Sequence, residues 1–226
     1  MPDEVPLSSL LLPGGSLCLL SINSFGSNSF EEPTIRMSIP SCERHSIFTA
    51  SINSMALYGC PFSQCQATAL AVQLQSGIRA LDIRLAVVES RLIAYHGSYP
   101  ERTPFQEILS TIHVFLTAST TSRETVVMSI KQEDFAKTPP ETFSKLVHQE
   151  IFSGPGGREM WFFENRIPNL GEVRGKVVLL SRFGGNGDGW DGGLEGLGIH
   201  PTIWPDSQKG EFSWQCKDTL VRTQDW

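Results

Sequence analysis

Runs with the periodicity of strands alternate with runs with the periodicity of helices from residue 65 to residue 182, and this alternation limits the fold more than any other feature. Strand, helix, strand, helix is the rhythm of a parallel α/β fold. The strands are predicted at 78–85, 91–96, 124–131 and 176–182, and the helices at 65–76, 104–116 and 139–152. Thr103 is predicted to cap the second of these helices, with Pro104 in its first turn.

The two ends of the chain indicate an incomplete barrel. A (β/α)8 barrel takes roughly 250 residues, and the last strand, predicted at 219–226, is only about the fifth of such a barrel. Residues 6–12 are predicted to form the first strand. Residues 15–52 are rich in Ser and Asn without a period, which indicates an irregular insertion. The expected division is therefore 1–52, a first strand plus insertion, and 53–226, a truncated barrel.

Charged side chains end one face of several predicted strands. Side chains alternate along a strand, so the row of Leu81, Ile83 and Leu85 can pack under helices while the opposite row ends in charge. The polar rows comprise, in chain order, Asp82 and Arg84, then Ser129, Lys131 and Glu133, then Arg182, and finally Asp225. One such pair is an ordinary surface salt bridge, but their recurrence indicates a shared site, because unpaired buried charges are costly. We expect that site at the carboxyl ends of the strands, where barrels build active sites.

Histidine and glycine give weaker signals. His96 ends a predicted strand, where it is either a general acid or a hydrogen-bonded structural residue. His113 and His148 fall on the polar sides of predicted helices, and we expect both to be solvated. The glycine-rich run 183–198 lacks the Gly-Lys-Ser/Thr ending of a phosphate-binding loop, so it is predicted to be a flexible loop.

The composition argues against several classes of function. A net charge of −6 without a basic run argues against nucleic-acid binding and against a polybasic membrane anchor. The sequence also predicts no transmembrane span, and its acidic start makes a poor secretory signal. We expect a cytoplasmic or peripheral-membrane protein, with secretion left open. The five cysteines fit no zinc signature, and Cys60 and Cys65 either pair in an oxidising compartment or stay thiols.

Eight stretches of the chain occur in the order of a known family. They are NSMALYG (53–59), QLQSGIRALDIRL (73–85), YHG (95–97), FQEILSTIHVFL (105–116), ETVVMSIKQE (124–133), GKVVLLSRF (175–183), GIHPTIWPD (198–206) and LVRTQDW (220–226). Together they resemble the X domain of phosphatidylinositol-specific phospholipase C in its bacterial and fungal single-domain form, one of the PLC-like phosphodiesterases. The resemblance implies an α/β fold of the irregular TIM-type (β/α) barrel kind.

The resemblance also implies a reaction and its residues. In that family the inositol 2-hydroxyl attacks phosphorus and the diacylglycerol oxygen leaves, with two histidines as base and acid. The matches assign the general acid to His96, phosphate stabilisation to Arg84 and orientation of the site to Asp82. They assign contacts with the phosphatidylinositol headgroup, at a membrane surface, to Lys131, Glu133, Arg182, Trp204, Asp206 and Asp225.

Arg84 also bears on the cofactor. Calcium-dependent relatives carry acidic residues in place of this arginine, so the resemblance implies a calcium-independent enzyme with no cofactor and no metal site. A fixed guanidinium can hold two phosphate oxygens at once, which suits the charge that grows in the transition state.

The match to the family breaks at the general base. The family places it in a Pro-Gly-Thr-His-Asn/Asp-Ser motif, and Ile52 occupies the expected histidine position before Asn53. His45 could in principle stand in for it. A retained intron or a mispredicted exon at 15–52 would explain the break, and sequencing of the spliced transcript tests that hypothesis. We therefore expect poor solubility and little activity from the chain as written.

Two other functions stay open on the sequence. A noncatalytic inositol-lipid binder would keep Lys131, Arg182 and Asp225 without the base, and would bind lipid without releasing inositol phosphate. A glycerophosphodiesterase on a related barrel would use metal-binding carboxylates in a Glu-x-Asp strand motif, and Asp82-Ile83-Arg84 counts against it.

Overall fold

The computed structural model describes residues 2–7, 18–19, 21–23, 35–39, 69–97, 99–134, 137–184, 198–201, 204–205 and 210–225. The strands are β1 (Cys18–Leu19), β2 (Ser21–Asn23), β3 (Ile35–Ile39), β4 (Ala80–Val88), β5 (Arg91–His96), β6 (Tyr99–Pro104), β7 (Val126–Gln132), β8 (Trp161–Phe162), β9 (Val177–Arg182), β10 (Gly210–Cys216) and β11 (Thr219–Asp225). The helices are α1 (Leu70–Gln75), α2 (Phe105–Thr117) and α3 (Pro140–Ser153), with 3-10 helices at Gly157–Met160 and Leu170–Val173.

The larger sheet carries the parallel strands. Its order is β6-β5-β4-β7-β9-β8, and β1 pairs with the first half of β4. The strands β4, β7 and β9 are parallel neighbours, and β8 adds in parallel to β9. Helix α2 lies in the connection from β4 to β7, and α3 in the connection from β7 to β9. The predicted α/β class with a parallel sheet is therefore confirmed.

A second sheet, of order β10-β11-β3-β2, contains the last strand. The strands β10 and β11 form an antiparallel hairpin, and β11 pairs in parallel with β3. The strand predicted at 219–226 is confirmed as β11. It pairs with β10, which the sequence analysis missed, and with β3, so both of its edges are occupied within the second sheet.

Two apolar clusters separate the faces of the larger sheet. Alternate residues of β4, β7 and β9 pack against α2 and α3 in the first cluster, which includes Leu81, Ile83, Leu85, Met128, Ile130 and Leu179. The intervening residues join the second sheet in the other cluster, which includes Ala80, Val127, Val178, Phe212, Trp214 and Val221. The alternation of faces predicted for the strand at 78–85 is confirmed.

Helix α2 buries the face that its spacing predicts. Its buried residues are Phe105, Ile108, Leu109, Ile112 and Leu116. Its predicted cap is wrong, because Thr103 belongs to β6 and Pro104 is the N-cap, with φ −63° and ψ 142°. Pairing of β6 with β5 keeps the chain extended through Pro104, so the helix begins at Phe105.

Helix α3 corrects the prediction for His148. This side chain is 3% exposed and contacts the rings of Phe152 and Phe163, at centroid distances of 5.3 and 6.0 Å. Phe163 follows β8 directly and packs on this flank of α3, so the buried stripe is wider than the apolar residues alone predict. His113 on α2 is half-buried rather than fully solvated.

The first residues are attached to the 3-10 helix at Leu170–Val173. The main-chain N–H groups of Leu170 and Gly171 donate to the carbonyls of Val5 and Asp3. Of the strand predicted at 6–12, Pro6 and Leu7 are described, and Pro6 forms a bridge with Asn169. Strands β1, β2 and β3 fall within 15–52, while Cys60, Cys65 and most of the run 183–198 lie outside the described residues.

Candidate active site

Three cationic residues occupy one row across the parallel strands. Arg84 of β4 is the neighbour of Lys131 of β7, which is in turn the neighbour of Arg182 of β9. Residues in register on adjacent strands share a face of the sheet. Lys131 and Arg182 stand at the carboxyl ends of their strands, at the edge where a barrel of this class places its chemistry.

Asp82 lies one layer below this row and is fully buried. Its Oδ2 accepts a hydrogen bond from Arg84 Nε at 2.9 Å, and its Oδ1 accepts from Ser129 Oγ at 3.1 Å and from Arg182 Nη1 at 3.3 Å. One carboxylate therefore connects three strands and orients two guanidinium groups.

The electrostatics keep Asp82 ionised. Burial by itself raises the pKa of this carboxyl, because a low-polarity environment disfavours the charged form. The attraction of Arg182 and then of Arg84, with the hydrogen bonds from Arg84 and Ser129, outweighs burial and lowers the pKa of Asp82 below its ordinary value of 3.8. Near neutral pH the group is an anion that two cations share.

Arg84 stays partly accessible although it contacts two carboxylates. Its Nη1 donates to Glu133 Oε1 at 3.2 Å, and its side chain is 19% exposed against 2% for Arg182. A phosphodiester carries a single negative charge, and guanidinium N–H groups suit such a ligand because they can hold two of its oxygens at once.

Trp204 covers Arg182. The guanidinium carbon of Arg182 lies 4.2 Å from the ring centroid of Trp204, which is the geometry of a cation–π contact. The same ring meets Phe212 edge-on at 5.3 Å. The structure thus brings Trp204 to the row of cations, where a headgroup pocket is predicted.

His96 is half-buried at the end of β5. Ala94 pairs with Leu85, so regular alternation puts Leu92, Ala94 and His96 in the row that faces the helices, opposite to Arg84. The general-acid role requires the chain to turn at the strand end, where Gly97 follows with φ +57°. That role stays a prediction.

Of three further site residues, the structure describes only the main chain of Asp225. Asp225 is the last residue of β11, paired with Gly210 and Ile39. His45 and Asp206 lie outside the described residues, as does Ile52 at the expected position of the base. Their roles also stay predictions.

The sequence analysis missed two contacts behind the row. Ser129 donates to Asp82, a role that its place in the polar row of the strand at 124–131 could have indicated. His200 Nδ1 lies 2.8 Å from Ser181 Oγ on the reverse side of β9. The stretch GIHPTIWPD contains this histidine, but neither the charge nor the spacing of the sequence points to a serine partner.

The described part of the chain contains neither a metal-binding cluster nor a membrane-spanning helix. No group of three or more His, Cys, Asp or Glu side chains within it is placed to hold a metal ion. None of its helices is both long and apolar enough to cross a membrane.

Comparison with known proteins gives a consistent family. The family model for phosphatidylinositol-specific phospholipase C, X domain, matches residues 37–183. The 1-phosphatidylinositol phosphodiesterase of Staphylococcus aureus (strain Newman) is 29% identical over 116 residues, which are 50% of this chain and 36% of that protein. The protein of the same name from Listeria monocytogenes is 31% identical over 125 residues, 54% of this chain and 37% of that protein. The chain thus spans just over a third of the length of these curated relatives.

Solved structures of known proteins also resemble this chain in their fold. A structure of the phosphatidylinositol-specific phospholipase C of S. aureus superposes with a TM-score of 0.63 and 21% identity, covering 100% of this chain and 64% of that one. A double mutant of the same protein gives a TM-score of 0.55 with 26% identity over 71% of this chain and 52% of that one. These likenesses confirm the irregular TIM-type barrel. Because the family model covers more than half of the residues, the chain belongs to the family of the phosphatidylinositol-specific phospholipase C X domain.

Proposed function

We propose that this chain carries the phosphate and headgroup site of a phosphodiesterase that cleaves phosphatidylinositol into diacylglycerol and a cyclic inositol phosphate. The observation that carries the proposal is the row Arg84, Lys131 and Arg182 in register on three parallel strands, with Asp82 buried beneath it. Family membership supports the same substrate class.

In the proposed reaction the inositol 2-hydroxyl gives up its proton to a base and attacks phosphorus. The bond from phosphorus to the diacylglycerol oxygen breaks, and His96 supplies the proton that this oxygen takes. Arg84 holds the non-bridging phosphate oxygens, whose negative charge grows in the transition state. Because Asp82 fixes the Nε edge of Arg84, its remaining N–H groups are oriented before the substrate arrives.

The headgroup occupies the rest of the row in this proposal. Lys131 and Arg182 donate to inositol hydroxyls, Asp225 and Glu133 accept from them, and Trp204 with Asp206 lines the pocket. The substrate is a lipid, so the enzyme works at a membrane surface as a peripheral protein.

The base decides whether the chain turns over its substrate. Isoleucine cannot transfer a proton, so Ile52 at the expected position favours a second candidate, a noncatalytic binder of inositol lipids. The enzymatic candidate requires His45 to act as the general base in its place. The two candidates differ in one measurable property, the release of water-soluble inositol phosphate.

The deciding experiment measures this release from vesicles that contain radiolabelled phosphatidylinositol, with EDTA present. We expect little release from the chain as it stands and a rise with Ile52→His, while both forms bind the vesicles. Release abolished by EDTA and recovered with calcium would contradict the metal-free proposal. Binding without release by both forms would favour the binder.

Arg84→Ala in the more active form should lower kcat by about 10²–10³-fold, because the guanidinium is assigned to the transition-state charge. Arg91→Ala is the matched control, since Arg91 is an exposed arginine at the start of β5. Equal activity of the two variants would refute the role of Arg84.

A further inference from the structure

A histidine on the reverse side of β9 fastens the segment that leads to Trp204. Strand β9 presents Arg182 to the row of cations, while Ser181 points to the opposite face. Ser181 is fully buried, and His200 is 7% exposed. The two residues are therefore largely shielded from solvent where they meet, on the face of β9 opposite to Arg182.

The segment at 198–201 runs along β9 in close contact. Ile199 donates its N–H to Leu179 O at 2.8 Å, and Ser181 donates to Ile199 O at 2.9 Å. Gly198 has φ +73°, and a Cβ atom built there would lie 2.3 Å from Leu179 O. The close approach therefore requires glycine at this position.

The His200 residue adds further contacts that hold this segment. Its Nδ1 lies 2.8 Å from Ser181 Oγ and 3.1 Å from Ser181 O, while its main-chain N–H donates to Asn165 Oδ1 at 3.1 Å. A ring nitrogen and a main-chain group thus hold one residue on two sides. Polar groups buried in this way are costly to separate, because each would lose its partner away from water.

Trp204 follows four residues later, with its ring on Arg182 and its edge against Phe212. Ile199 belongs to the same apolar cluster that Trp204 packs against. The backbone alternation that sends Ile199 inward sends His200 outward to Ser181. The contact of His200 with Ser181 therefore determines the positions of Ile199 and Trp204 in the apolar cluster.

We propose that His200 is a positioning residue of the site: through Ser181 it fixes residues 198–201 on β9 and thereby seats Trp204 on the guanidinium of Arg182. The seated ring helps to keep Arg182 Nη1 on Asp82, to which it donates at 3.3 Å. The role in substrate binding rests on the proposed function, whereas the seating of Trp204 does not.

The seating is tested by fluorine NMR of the full chain labelled with 5-fluorotryptophan. The Trp204 resonance is assigned by its disappearance in Trp204→Phe. We expect His200→Leu to shift and broaden this resonance and to leave that of Trp161 unchanged. His200→Asn should restore it, because an Asn side chain can place a donor and an acceptor near the position of Nδ1.

Ser181→Ala removes the serine partner with a much smaller change in volume, and it should move the Trp204 resonance in the same direction. It decides the matter if His200→Leu does not fold. His113→Leu on α2 is the control for loss of a histidine elsewhere. An unchanged Trp204 resonance in Ser181→Ala and in any folded His200→Leu overturns the proposal.

Binding of myo-inositol 1-phosphate, measured by calorimetry, tests the consequence for the site. We expect about tenfold weaker binding in His200→Leu, the equivalent of one lost hydrogen bond, and recovery in His200→Asn. Wild-type chain that does not bind this probe would contradict the proposed function, while the NMR result would still decide the role of His200. Normal binding by a variant with a displaced Trp204 would overturn the link to the ligand.

Discussion

Asp82 is the residue on which the geometry of the site depends. It lies between Arg84 and Arg182 with no exposed surface, so one carboxylate contacts both guanidinium groups. Removing one partner of a buried ionic group leaves the others unpaired, which costs far more than the net gain from forming the group.

Asp82→Asn should therefore lower the free energy of unfolding by about 3 kcal/mol or more, because it removes the buried anion that both guanidinium groups contact. Urea denaturation followed by circular dichroism measures this change. Ser129→Ala is the control, since it keeps the charge and removes one hydrogen bond, at about 1 kcal/mol. Equal effects of the two variants would show that the charge is unimportant.

The stabilisation that Asp82 gives has a defined pH window. Its folded pKa is lowered below the unfolded value of 3.8. The contribution is therefore complete above the unfolded pKa and is lost as the pH falls through the folded one. The effect is confined to strongly acidic solution.

His148 affects stability in a different pH range. Burial, with a smaller effect from Arg158, lowers the pKa of this histidine from 6.5 to about 4. Below pH 6.5 His148 binds a proton in the unfolded chain but not in the folded chain. The free energy of unfolding therefore falls between pH 6.5 and 4. The loss should be on the order of 2 to 3 kcal/mol at the acid end.

His148→Phe should remove most of this acid-dependent loss, because phenylalanine fits an aromatic site and does not titrate. Free energies of unfolding at pH 7 and pH 4.5 test it, with His113→Phe as the control on another helix. A variant with the same pH dependence as the wild type would show that other groups cause the loss.

At this scale the sequence predicted which residues share a face but not which atoms touch. Alternation alone indicated that Asp82, Arg84, Lys131 and Arg182 belong together, because parallel strands keep their carboxyl ends at one edge. The contact between Trp204 and Arg182 depends on how a separate segment lies along β9. The burial of His148 likewise depends on Phe163, which lies beyond the helix itself.

Helix α2 shows how far one element can be predicted. Its apolar spacing indicated the buried face, because the helical period is a local property. Its start could not be read from Thr103 and Pro104, since pairing of β6 with β5 decides where the extended chain ends. The hairpin strand β10 was missed although Phe212, Trp214 and Cys216 alternate as buried residues.

Two β-branched apolar residues of α2, one buried and one exposed, give a matched test of the helix packing. Ile112→Ala should cost about 2–5 kcal/mol in stability, because Ile112 is fully buried between the helix and the sheet. Val114→Ala should change it by less than about 0.5 kcal/mol, because Val114 is 69% exposed. Chemical denaturation of both variants measures the difference, and similar values would contradict the assigned face.

At the scale of the whole molecule, the two sheets pack against each other through one shared apolar cluster. Trp214 and Val221 of the second sheet belong to the same cluster as Ala80, Val127 and Val178 of the first. Trp214 Nε1 also donates to Thr223 Oγ1 at 2.9 Å, which ties the hairpin together. Neither sheet can expose its inner face without exposing that of the other.

The two sheets should therefore unfold together. Urea transitions followed by far-ultraviolet circular dichroism and by the fluorine resonance of Trp214 should coincide. The resonance is assigned through Trp214→Phe. A midpoint for Trp214 at clearly lower urea would indicate that the second sheet is an independent unit.

The pairing of β11 with β3 has a consequence for biosynthesis. Thr223 is the neighbour of Met37, so β3 can pair with β11 only after residues 219–225 have been synthesised. Contacts this distant in sequence form slowly, because the intervening chain must first be closed into a loop. Until then the edge of β3 that β11 will occupy is open, and a chaperone that shields nascent chains would have this segment as its client.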